Sequence, residues 1–396
     1  AQGLGTILND DAPGGSLGFS SPDYSVIEIA GSVLISVQRK GETTQSVTVD
    51  YATSDITADG RKDYTATRGT LRFAPGDGGK AFLVLVNEDA FNEGNEFVQL
   101  TLSNPTGGAV LGPPSTATLQ ITNLQWNSPP ANSIDDASRF VRQHYHDFLN
   151  RDTNSDPSGL AFWTNQITEC QQPGATCDPE ARRINVSAAF FLSIEFQETG
   201  YLVERLYKTA LGDAVGVSNF GPGHTLPVPV IRFDEFLRDT QSIGQGVVVG
   251  QGNWQTVLEI NKQAFIAEFV LRPRFLSAFP LNLDVAQFVD QLNANAGNPL
   301  SPAERSQLIS SGMSRAQMVR AVAEHQNLIS SESNRAFVLI QYFGYLRRNP
   351  NDAPDSDYTG YDFWLSKLNQ FNGNFINAEM VKAFISSGEY RGRFGP

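Results

Sequence analysis

Apolar and polar residues alternate along short stretches in the first third of the chain. Val33, Ile35 and Val37 follow a period of two. So do Val47, Val49 and Tyr51; Phe82, Val84 and Val86; Val98, Leu100 and Leu102; and Ala117, Leu119 and Ile121. That period turns one face of a strand towards a core and the other towards water. Gly, Pro, Asn and Asp fill the gaps, and they supply the backbone conformations that turns require. Residues 13–125 are therefore predicted to form an antiparallel β-sandwich.

Residues 126–132, WNSPPAN, read as a linker, because Pro-Pro and small polar residues stop both strand and helix. After them the period lengthens to about 3.6. Val141, Tyr145, Phe148 and Leu149 make one helical stripe, and Val203, Leu206, Tyr207, Ala210 and Leu211 make another. Residues 213–232 are rich in Gly and Pro and read as a long loop or lid. Residues 244–252, GQGVVVGQG, read as a second loop with a short strand.

One phrase of this second part occurs twice. Val141, Tyr145, Phe148, Leu149 and Arg151 match Val338, Tyr342, Tyr345, Leu346 and Arg348 at a constant offset. Gly159, Phe162 and Trp163 then match Gly360, Phe363 and Trp364. Phe190, Ser193, Glu195 and Phe196 match Phe384, Ser387, Glu389 and Tyr390. Fixed-order self-similarity marks a repeated supersecondary unit. Residues 133–396 are predicted to be an all-α domain of degenerate helical units.

The net charge of −13 argues against nucleic acid, whose phosphates call for clustered Lys and Arg. No apolar run is long enough for a transmembrane helix. Cys170 and Cys177, the two cysteines, flank a Pro-Gly turn. A local disulfide is expected, and with it an oxidising compartment; free thiols in a loop are the alternative.

Several motifs of the first part resemble a Calx-beta domain. They are Tyr24-Ser-Val-x-Glu28-x-x-Gly31, Asp63-Tyr64, Gly69-Thr70-Leu-x-Phe73-x-Pro-Gly76, Glu93-Gly-Asn-Glu96 and Leu102-Ser-Asn-Pro-Thr-Gly107. The resemblance implies a seven-stranded, immunoglobulin-like sandwich that binds calcium at one tip. Its ligand positions fall here on Glu28, Asp63, Glu88, Asp89, Glu93 and Glu96. Asn123-Leu124 stands where the family carries terminal aspartates, so one ligand source is missing. A solvated acidic end without metal is the other reading. Residues 1–12 resemble the last strand and acidic tail of a preceding repeat, which implies a longer parent protein. Gly5, Thr6, Ile7 and Leu8 form its strand, which can pair with a neighbouring copy, lie on its own domain or remain a tail.

Residues 133–396 resemble the bacterial domain of unknown function 4214, through the Arg–acidic turn–Gly-x-x-Phe-Trp and Phe-x-x-Ser-x-Glu-Phe phrases. That resemblance implies a secreted or surface-layer-associated bacterial protein and names no activity. Trp163 and Trp364 can line a sugar cleft or belong to the core. Asp152–Gly159 alternates oxygens as a calcium loop does, but Pro157 and Trp163 depart from the EF-hand pattern, which leaves helix capping. Arg151 and Arg348 end their helices, where a cation suits the dipole.

No nucleophile elbow, phosphate loop or dinucleotide fingerprint occurs, and the four histidines show no metal-pair spacing. An enzyme is not expected. The sequence points to a non-catalytic, secreted bacterial surface segment, structural or adhesive, stiffened by calcium and self-assembling. Its partners would be copies of itself, surface proteins or glycans. A glycan-binding module is the second reading and a secreted hydrolase the third.

Overall fold

The alternating runs become nine strands in two sheets. The strands are β1 (Ser16–Phe19), β2 (Asp23–Ile27), β3 (Ser32–Lys40), β4 (Val47–Asp55), β5 (Arg68–Phe73), β6 (Gly79–Leu85), β7 (Glu96–Ser103), β8 (Val110–Leu111) and β9 (Thr116–Thr122). One sheet has the order β6-β3-β1-β8 and the other β2-β9-β7-β4-β5. Every residue of the alternating pattern is buried except Val33 and Tyr51, which pack partly buried against the same core. Tyr51 of one sheet stacks on Phe82 of the other with ring centroids 4.0 Å apart.

The strand count differs from the seven implied by the resemblance. The opening strand is split: β1 pairs with β3 in one sheet and β2 with β9 in the other. Ser20-Ser21-Pro22 makes the crossing, and Pro22 has no N–H to lose from a ladder. The short β8 adds a parallel pair to β1.

The computed structural model describes residues 12–123 and 132–396. Gly5, Thr6, Ile7 and Leu8, and residues 124–131, lie outside them. The chain forms two units, Ala1–Ser133 with Phe394–Pro396, and Ile134–Arg393.

The second unit runs through four successive groups of three or four helices. The first copy is α1 (Ala137–Leu149), α2 (Pro157–Thr168) and α3 (Pro179–Phe191). The second opens with α4 (Ile194–Phe196), runs through a π-type turn at Gln197–Tyr201 into α5 (Leu202–Leu211), and carries β10 (Asp213–Ser218) and β11 (His224–Pro229) before α6 (Phe233–Gly244) and α7 (Trp254–Phe269). The third has α8 (Pro273–Ala278), α9 (Val285–Asn295), α10 (Pro302–Ser310) and α11 (Arg315–Ala323). The fourth has α12 (Gln326–Gln341), extended by a π-type turn at Tyr342–Leu346, then α13 (Thr359–Gln370) and α14 (Met380–Ile385). The short α15 (Gly388–Arg391) follows. None of the described helices is long and apolar enough to cross a membrane.

The loop expected at 213–232 is instead an antiparallel hairpin, paired from Asp213↔Pro229 to Ser218↔His224. Its Gly and Pro content hid the strands. Pro227 and Pro229 have the same parity, so both place their missing N–H on the outer edge, where no donor is needed. Of residues 244–252, Gly244 ends α6 and the rest form a loop without a strand, with Gly246, Gly250 and Gly252 at positive φ.

The repeated residues build one joint twice. Asn150 and Arg347, equivalent by the offset, both end their helices in the left-handed conformation, at φ 50° and 54°. The next residue turns back. Arg151 donates from Nε to Glu195 Oε1 at 2.8 Å and from Nη2 to Oε2 at 3.1 Å. Arg348 makes the same fork to Glu389 at 2.5 and 2.9 Å. These arginines therefore do more than face a helix dipole. Ser193 and Ser387 cap the helices that bear the glutamates, each accepting at 3.1 Å from Phe196 N or Tyr390 N. Tyr145 donates to Asp156 Oδ2 at 2.9 Å, and Asp156 Oδ1 accepts from Gly159 N at 3.0 Å. A Cβ on Gly159 would lie 2.3 Å from the Tyr145 hydroxyl oxygen, and one on Gly360 would lie 2.5 Å from that of Tyr342. Both glycines leave room for a tyrosine hydroxyl, and Gly159 also for the Asp156 carboxylate.

Arg151 and Glu195 are largely withdrawn from water. Arg151→Ala should cost about 3–5 kcal/mol, because it strands a buried carboxylate. Adding Glu195→Ala should cost less than the two single losses combined. Urea unfolding of the two single variants and the double variant checks both. Cys170 and Cys177 form a disulfide, with Cα atoms 5.3 Å apart. Mass spectrometry without reduction should find both thiols blocked. Reduction should remove about 2–3 kcal/mol, the chain-entropy value for so short a loop.

Candidate metal centre

Two loops and the start of β7 meet at one end of the sandwich. Asp63 sits between β4 and β5, Asp89 and Glu93 between β6 and β7, and Glu96 is the first residue of β7. Two backbone bonds sew the first two loops together. Asn87 N donates to Asp63 O at 2.8 Å and Thr65 N to Leu85 O at 2.9 Å. The Asn87 side chain adds a bond to Lys62 O at 2.7 Å. These bonds place Asp63 opposite the start of β7.

Asp63, Glu93 and Glu96 each offer a carboxylate oxygen, and these oxygens lie within 4.8 Å of one another. Asp89 is close enough for its charge to be felt by Glu96. Burial pushes the Asp63 carboxyl up to about 6, against the pull of the Asp59 N–H, with Glu93 and Asp59 adding repulsion. Burial pushes Asp89 up to about 7, with Glu93 and Asp63 adding to it and the Phe91 N–H and Lys62 opposing. Glu96 rises to about 8, first by burial and then by repulsion from Asp63 and Glu93. Asp63 and Glu96 also hydrogen-bond each other, so at neutral pH they share a proton.

Glu28 and Glu88, named with these residues from the sequence, are buried but stand outside the group of three. Glu28 Oε1 accepts from Asp89 N at 3.1 Å, which positions that loop. The backbone oxygen of Glu88 accepts from the Ser133 hydroxyl at 2.8 Å. Asn123 is buried, and its Nδ2 lies 3.4 Å from Glu93 Oε2. The position that lacks its aspartate therefore still touches the cluster through an amide. Asp59 went unnoticed in the sequence. Its N–H holds Asp63 Oδ2 at 2.6 Å while its charge raises the same carboxyl. The Asp59-Gly60 turn signal was its visible trace.

The other candidates fall elsewhere. Trp163 and Trp364 are part-buried, each edge-on to the preceding phenylalanine at 4.8 and 5.0 Å. They tilt against Phe190 and Phe384 of their own copies. The Asp152–Gly159 oxygens serve as caps: Asp152 accepts from Asn154 N at 2.7 Å and Asp156 from Gly159 N. His144 and His146 are buried, and burial pushes both down to about 4. His144 lies between Phe140 O and the Ser187 hydroxyl, each at 2.7 Å.

Asp63, Asp89 and Glu96 all keep their protons to higher pH in the folded chain than their ordinary values of 3.8, 3.8 and 4.5 allow. Between about pH 4 and 8 the metal-free sandwich thus binds more protons than the unfolded chain, and stability falls as pH rises. In chelator, the sandwich transition should melt at lower temperature at pH 8 than at pH 5. Calorimetry of the chain checks this, and a flat or rising profile would refute the crowding of the three groups.

Residues 10–125 match the family model described as Calx-beta domain. The chain is 32% identical over 136 residues to sodium/calcium exchanger 1 of Bos taurus, covering 30% of this chain and 14% of the exchanger. It is 33% identical over 103 residues to sodium/calcium exchanger Calx of Drosophila melanogaster, covering 26% and 11%. It is 37% identical over 122 residues to integrin beta-4 of Rattus norvegicus, covering 29% and 7%. The chain thus spans a small part of the length of these relatives. Among solved structures, the apo-form Calx CBD1 domain is 31% identical, covers 28% of this chain and 97% of its own, and has a TM-score of 0.27. Residues 10–125 are thus a β-sandwich that matches the Calx-beta domain, and a helical region follows it.

Proposed function

We propose that the sandwich tip binds calcium, and that the chain is a non-catalytic extracellular segment stiffened by that ion, structural or adhesive in role. One observation carries the reading: Asp63, Glu93 and Glu96 converge within 4.8 Å while burial and mutual repulsion hold protons on the group. Oxygen-only donors of this kind suit a hard cation. Asp63, Glu93 and Glu96 would hold it, with Asp89 beside them. The positive charge would replace the shared proton and relieve the repulsion. The likeness of this segment to sodium/calcium exchangers supports the choice of calcium. The Cys170–Cys177 disulfide supports an oxidising, extracellular setting.

Asn123 leaves the site one negative charge poorer than an aspartate would. Calcium should raise the melting temperature of the sandwich by mass action. Glu93→Gln and Glu96→Gln should each abolish most of that rise. Asn123→Asp should bind calcium more tightly and, in chelator, melt below the parent, since it adds a like charge near Glu93. Calorimetry and isothermal titration over a calcium series check all three. No calcium response in the parent chain would sink the proposal.

A further inference from the structure

Glu204 lies on α5 with almost no exposure, and its Oε2 has no hydrogen-bond partner. It faces Arg205 and Lys208 of its own helix and Glu332 and Arg335 of α12. Its charge is also felt by Tyr361 of α13 and by Tyr201. The three cations it faces are already engaged, Arg205 by donating from Nε to Ala323 O at 2.8 Å. Lys208 Nζ donates to Asp213 Oδ2 at 2.6 Å and stands 3.7 Å from Glu332 Oε1. Arg335 forks onto Asp213 at 2.6 and 3.2 Å and stands 3.4 Å from Glu332 Oε2.

Asp213 is the first residue of β10, so the root of the hairpin hangs on two cations that also face buried carboxyls. The far end of the hairpin is fastened to the start of α13. Val217 O accepts from Tyr358 N at 2.8 Å. Ser218 donates to Asp362 Oδ2 at 2.7 Å and Asn219 Nδ2 to Asp357 Oδ2 at 2.7 Å. His224 Nε2 is 3.2 Å from Asp362 Oδ2. Phe220 stands edge-on to Phe363 at 5.4 Å.

We propose that Glu204 is a proton switch that decides whether the hairpin is clamped at its root and, through it, on α13. Uncharged, Glu204 makes no demand on Lys208, which stays with Asp213. Ionised, it is an anion beside Glu332 in a dry helix interface. Relief comes from Lys208, one turn away on the same helix face, or from water. Either loosens the hold on Asp213. Burial and then Glu332 push the Glu204 carboxyl up to about 8 from its ordinary 4.5, so the clamped form keeps the proton at neutral pH. A form opened to water loses it. Opening therefore releases a proton. The open fraction rises about tenfold per pH unit between about pH 5 and 8 and flattens above. Acid clamps the hairpin; a rise in pH frees it and parts Phe220 from Phe363.

Hydrogen exchange of the β10 and β11 amides in the full chain tests this at pH 5, 6, 7 and 8. The intrinsic base catalysis is divided out, and α9 amides serve as an internal reference. The expected result is protection that falls about tenfold per pH unit in the hairpin relative to α9. Glu204→Gln should flatten the profile, while His224→Gln, which removes the imidazole beside Asp362, should keep the slope. Flat protection in the parent chain overturns the proposal, as does a parental slope in Glu204→Gln or its loss in His224→Gln. The parent profile alone decides between slope and no slope, even where a variant folds poorly.

Discussion

A carboxylate withdrawn from water keeps its charge only where a cation or several N–H donors face it; otherwise it takes up a proton. Both parts of the chain are arranged around that constraint. In the helical part Arg151 and Arg348 meet Glu195 and Glu389 in two-toothed forks. Two bonds in one plane hold the angle between successive helices as well as the charge. At the sandwich tip Asp63, Glu93 and Glu96 form a group of converging carboxylates. Its charges are met by backbone N–H groups and by protons held above their ordinary range. The same chemistry makes a rigid joint in one place and a seat for a cation in the other.

The second helical copy shows what happens when the sign is reversed. Tyr145 precedes Arg151, and Tyr342 precedes Arg348, by the same spacing that separates Tyr207 from Asp213. Where the first and fourth copies present a guanidinium, the second presents a carboxylate. It recruits Lys208 and Arg335 instead. The chain then leaves as a hairpin rather than a short loop, and Tyr207 finds its acceptor in Asp239 at 2.9 Å. An insertion at one joint thus changed its electrostatic partners without disturbing the stripe of Val203, Leu206 and Ala210, which remains buried.

Much of this was legible before any coordinates. Strand alternation maps directly onto burial because the two faces of a strand are set by local geometry alone. The doubled phrase marked the repeat, and its Gly, Ser, Arg and Glu proved to be joint residues. Their partners were not visible, because Arg151 and Glu195 are separated by two helices and meet only when those helices pack. The 213–232 segment was misread because Pro and Gly speak against strands locally. Only the pairing partner shows that Pro227 and Pro229 lie on the outer edge of the hairpin.

The metal-site candidates divide in the same way. Sequence by itself determined that Cys170 and Cys177 are close enough along the chain to join, and through the Calx-beta resemblance it implied that acidic residues share one tip and that Asn123 interrupts the set. Tertiary structure alone decided that Asp63, Glu93 and Glu96 face one another while Glu28 turns to the Asp89 N–H. The reason is physical. A loop's place along a strand follows from neighbouring residues, but the direction of its carboxylate follows from which backbone donors the opposite loop leaves within reach.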